Sequence, residues 1–142
     1  MSHVVLDDYL LRDLLADAPA PALRRILRTR EAATTNLYYL RLCRSVVSSN
    51  GGALTGRWAP TLRRNLGRTL VQLPDEIRVV SMRVIGFDMA ELANEHGLSS
   101  LGAEAIASAR ILDAPLYVHE TDDGPRIRAT ARAIGITYRT VA

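Results

Sequence analysis

Short β-branched runs alternate with leucine-patterned helical stretches along all 142 residues, and this alternation constrains the fold more than any other feature. Residues 3–7 (HVVLD) read as a buried strand. Leu10, Leu11, Leu14 and Leu15 then fall on one face of a helix predicted over 9–17. Ala18-Pro19-Ala20-Pro21 ends it, because each proline removes an N–H and restricts the residue before it. Leu23, Ile26 and Leu27 form the inward face of a second, basic helix over 22–30. Further strands are expected at 32–35, 77–81, 115–118 and 136–138. Helices are expected at 37–48, 60–70, 88–96, 101–112 and 125–134, and 50–60 reads as a loop. Strands alternating with helices predict a central parallel sheet covered on both faces, a three-layer α/β/α fold in one domain over 1–142.

Composition removes several classes of function. Hydrophobic residues make up 48% and charged residues 23%, an ordinary globular balance. No apolar run approaches the ~18 residues of a membrane span, and no basic-then-apolar leader opens the chain. The single cysteine, Cys43, excludes an internal disulfide and a cysteine-rich zinc site. A soluble, cytoplasmic protein is the expectation. No glycine-rich phosphate loop, dinucleotide fingerprint or Ser/His/Asp set is visible.

The charges are unevenly placed. Residues 1–72 hold 11 arginines against 5 acids, a balance of +6; residues 73–142 hold 7 against 10, a balance of −3. Arg57, Arg63, Arg64 and Arg68 lie in a stretch without an acid, with Arg64 and Arg68 one helical turn apart. They could contact an RNA backbone or form a solvated helix face. Tyr38 and Tyr39 cannot both face a core, so one is expected at the surface, where two copies of the chain could meet.

In a parallel sheet, ligands sit beyond the carboxyl ends of the strands. Those ends are acidic here: Asp7 and Asp8 follow the first strand, and Glu120, Asp122 and Asp123 follow PLYV. Carboxylates meeting in one cleft repel one another unless a hard cation such as magnesium or manganese neutralises them. Helix capping by Asp7 or Asp8, and a turn built by Asp122-Asp123-Gly124-Pro125, are the structural alternatives.

Three segments carry a family resemblance: VVLDDYLL, HGLSSLGAEAIASARILDAPLYVHE and RIRATARAIGITY. Together they resemble the PIN-domain family, and in particular its VapC-type toxin ribonucleases. The resemblance implies an α/β/α domain whose acidic cluster holds Mg2+ or Mn2+ and hydrolyses RNA. It also implies an antitoxin protein partner and a homodimer. Of the four carboxylates such proteins usually supply, the first falls on Asp7 and the fourth on Glu120. The second falls near Leu40 and Arg41, and the third on Gly102, so neither is acidic. Glu104 is turned about 200° from Gly102 around a helix and is expected to point elsewhere. Asp122 and Asp123 are the stand-ins within reach, giving Asp7, Glu120, Asp122 and Asp123 as the catalytic candidates and Asp7, Glu120 and Asp122 as the metal ligands. The reduced set implies weak ribonuclease activity, or an inactive module that binds RNA or a partner protein.

Overall fold

The structure, a computed structural model, describes residues 2–48 and 50–142. Its centre is a five-stranded, all-parallel sheet in the order β3-β2-β1-β4-β5. The strands are β1 (His3–Leu6), β2 (Glu31–Thr34), β3 (Arg78–Val79), β4 (Leu116–His119) and β5 (Tyr138–Val141). The helices are α1 (Asp8–Leu15), α2 (Pro21–Ile26), α3 (Asn36–Val47), α4 (Gly52–Thr55), α5 (Pro60–Leu70), α6 (Met82–His96), α7 (Ser100–Leu112) and α8 (Pro125–Ala133). The three-layer α/β/α fold expected from the alternation is therefore present.

The central strand shows why the β-branched run matters. Val4, Val5 and Leu6 are all fully buried, as a strand covered on both faces requires. Val4 and Leu6 face one way, onto Leu10 of α1 and Leu23 of α2. Val5 faces the other way, with Leu116 and Val118, onto Ile85 and Met89 of α6 and Ile106 of α7. A third cluster joins Leu11, Leu42, Leu54, Leu66 and Leu70, packing α1, α3, α4 and α5 together beside the sheet.

Some boundaries differ from expectation. Within 50–60, a single helical turn, α4, forms after Gly51, whose φ of 76° suits glycine. The helix expected at 88–96 begins six residues earlier, capped by Ser81, whose side chain accepts from the Arg83 N–H. The last strand lies later, at Tyr138–Val141. Neither member of the tyrosine pair is an open contact surface: Tyr38 is buried in the core, and the half-buried Tyr39 donates its hydroxyl to the Leu70 carbonyl at 2.5 Å. Among the described residues, no helix is long and apolar enough to cross a membrane.

Candidate metal centre

The chain leaves β1 directly into α1, and Asp7 sits at the join. Its backbone is extended, so it caps α1: Oδ1 accepts the Leu10 N–H at 2.9 Å. The other oxygen, Oδ2, accepts the His119 N–H at 2.9 Å, tying the helix start to the end of β4. Asp8, the first residue of α1, is also fully buried. After β4, a short 3-10 turn over Glu120–Asp122 brings Asp122 back over the same spot. Asp7, Asp8 and Asp122 each offer a carboxylate oxygen, all within 4.8 Å of one another. Oxygens sharing one magnesium or manganese ion lie about 3–4 Å apart, so modest side-chain rotation closes the set.

The electrostatics of the cluster follow from burial. Desolvation pushes the Asp7 carboxyl up from 3.8 to about 7; the Leu10 and His119 N–H groups pull it down, and Asp8 and Asp122 push it further up. Desolvation likewise raises Asp8 to about 6, against the opposing pull of Arg41 and with a further push from Asp122. Burial, and then the charges of Asp7, Asp8 and Asp122, also lift the Tyr38 phenol above its ordinary value. Negative charge is thus concentrated in a place that solvates it poorly.

Among the described residues, one cation reaches the cluster. Arg41, on α3, places Nε 3.1 Å from Asp8 Oδ2 and Nη1 3.8 Å from Asp122 Oδ2. The Nε contact is close enough for ion pairing but not aligned for N–H donation, and Asp8 Oδ2 has no hydrogen-bond donor.

The expected residues divide. Asp7 and Asp122 come together, whereas Glu120 is exposed and outside the group. Asp123 instead accepts the Tyr138 hydroxyl at 2.7 Å and pairs with Arg128, fastening β5 and α8 to the turn. Glu104 does point elsewhere, toward the start of α3. Fully buried, it accepts the Asn36 N–H at 2.9 Å, Asn36 Nδ2 at 2.8 Å and the Leu37 N–H at 2.8 Å, so it holds the start of α3. Gly102 is buried, and a Cβ there would meet Ile127 Cγ1 at 3.0 Å and Leu98 Cδ2 at 3.6 Å, an apolar wall. Arg63, Arg64 and Arg68 lie on α5 and Arg57 just before it, with Arg57, Arg64 and Arg68 exposed and Arg63 half-buried.

Two participants escape sequence reasoning. Asp8 reads as the helix cap, yet Asp7 takes the cap and Asp8 turns into the cluster. Arg41 reads as an absence of acid, and only the packing of α3 against α1 shows that its charge reaches the cluster. Beside the cluster runs a row of flat groups: His119 stacks on Tyr9 with ring centres 5.1 Å apart, and the Arg12 guanidinium lies 5.1 Å from the Tyr9 ring and 5.4 Å from that of Trp58. In comparison with known proteins, the chain matches no family model and no curated sequence.

Proposed function

We propose that this chain is a PIN-type, divalent-metal-dependent endoribonuclease with a reduced ligand set and weak activity. The observation that carries the reading is the meeting of Asp7, Asp8 and Asp122 beyond the carboxyl ends of β1 and β4. Such a position is where parallel sheets bind ligands, and three carboxylates in a desolvated cleft favour a hard cation over none. Magnesium or manganese held there supplies charge neutralisation at a phosphodiester and lowers the pKa of a coordinated water. Asp7 is held by two backbone N–H groups and is the fixed member; Asp8 and Asp122 complete the donor set. His119, Tyr9 and Trp58 offer flat surfaces for unstacked bases beside the reacting phosphate. The family resemblance supplies the rest of the proposal: RNA as substrate, a toxin role with an antitoxin protein as partner, a homodimer and a cytoplasmic location.

The test is cleavage of single-stranded RNA with manganese, magnesium or EDTA, by wild type and Asp7→Asn. The reading predicts slow cleavage that needs a divalent ion and disappears in Asp7→Asn. Metal-independent cleavage that survives the substitution contradicts it. The seat of Arg41 within the cluster favours a second reading, an inactive module that binds RNA or a protein. RNA binding without cleavage under all metal conditions selects that one.

A further inference from the structure

We propose that Arg41 is a tethered counter-cation: its guanidinium competes with divalent metal for Asp8 and Asp122 and sets how weakly the cluster binds an ion. This deepens the metal reading above and rests on it.

Three observations carry the inference. First, Arg41 is the only basic side chain that ion-pairs with any of the three carboxylates among the described residues. It bridges two of them, at 3.1 Å to Asp8 and 3.8 Å to Asp122. One guanidinium therefore spans carboxylates from α1 and from the turn after β4, the same two segments that an ion would join. Second, the pairing is incomplete. Asp8 Oδ2 is buried and receives no hydrogen bond, so Arg41 neutralises its charge without filling its lone pairs. A small cation bonds such an oxygen directly, which a poorly aligned guanidinium does not. Third, the arginine side chain is 41% exposed whereas that of Asp8 is 0% exposed. The acid is enclosed by protein, and the base has an open side toward water.

These facts describe a two-position side chain. Seated, Arg41 places a positive charge within a few ångströms of any ion in the cluster, and like charges at that range repel strongly where water is scarce. Withdrawn, it leaves the carboxylates to the metal and regains full hydration. Metal entry therefore includes the work of displacing the guanidinium, and the affinity of the wild-type cluster for an ion is lower than its carboxylates alone would give.

The experiment is manganese titration by calorimetry of wild type, Arg41→Gln, Arg41→Lys and Arg44→Gln, the last a control that removes one positive charge from an exposed position on the same helix. The expected result is manganese binding at least about tenfold tighter in Arg41→Gln, with Arg41→Lys and Arg44→Gln within about threefold of wild type. Thermal unfolding without metal should show Arg41→Gln less stable than wild type, since buried Asp8 loses its counter-ion, and manganese should raise its midpoint more than that of wild type. If Arg41→Gln does not fold without metal, recovery with manganese but not with sodium chloride supports the proposal, and no recovery overturns it. Equal manganese binding by wild type and Arg41→Gln overturns the role of Arg41 and leaves the metal reading intact. No binding by any of the four proteins overturns both.

Discussion

Asp7→Asn should change how stability depends on pH, and the size of the change follows from where Asp7 sits. Burial raises its pKa from 3.8 to about 7, a difference of about 4 kcal/mol between the protonated and ionised forms. Because the folded value exceeds the unfolded one, the folded state holds this proton more tightly. The stability it contributes is complete below about pH 4 and is lost as pH rises through 7. Roughly 2.5 kcal/mol of the loss falls between pH 5 and 8. The amide of Asp7→Asn carries no charge and shows no such loss. It also accepts only one of the two N–H groups from Leu10 and His119, a pH-independent penalty of about 1–3 kcal/mol. The slope of the difference, not its value, is therefore diagnostic. Asp8, raised to about 6, is coupled to Asp7 through their charges, so the slope of the difference reports the pair rather than Asp7 alone. The assay is urea unfolding followed by circular dichroism at pH 5, 6, 7 and 8 in EDTA. The stability of wild type relative to Asp7→Asn should fall by roughly 2.5 kcal/mol from pH 5 to 8. A flat difference, or one that grows with pH, refutes the reasoning.

Other substitutions separate the residues that sequence alone groups together. Asp122→Asn should weaken manganese binding by at least about tenfold, whereas Glu120→Gln, at an exposed position outside the cluster, should change it less than about twofold; calorimetry on both reads the contrast. Glu104→Gln should lower stability by about 1–3 kcal/mol in urea unfolding, since an amide cannot accept all three N–H contacts at the start of α3, while manganese affinity stays near wild type. Gly102→Asp should also destabilise by about 1–3 kcal/mol, because its Cβ presses on Ile127 and its carboxylate enters an apolar wall; thermal unfolding measures it.

The fold was legible because burial on two faces leaves a strong mark. Val4, Val5 and Leu6 read as a strand between two layers and the leucine spacing that follows as a helix laid on it, and the burial of these residues agrees. Turns with little periodicity were harder: α4 is one turn long, and its packing through Leu54 depends on α1 and α5 rather than on local pattern. The acidic cluster was legible in its location, because topology directs attention to the strand ends, and Asp7 was singled out there by the family resemblance. It was not legible in its membership. Glu120 and Asp122 lie two residues apart on a 3-10 turn that rotates them to different sides. Glu104 and Asp123 are acids spent on helix starts and turns, tasks that look the same in sequence as metal binding. Arg41 was invisible for a different reason: its partners lie far away in the chain, so only packing brings the opposite charges together.

The most direct test of the proposed metal site is an anomalous-scattering map from crystals of Arg41→Gln grown with manganese. The account predicts one peak bonded by Asp7, Asp8 and Asp122, with Glu120 and Asp123 uninvolved. A peak at Glu120 or Asp123 instead, or no peak between the three aspartates at saturating manganese, contradicts it.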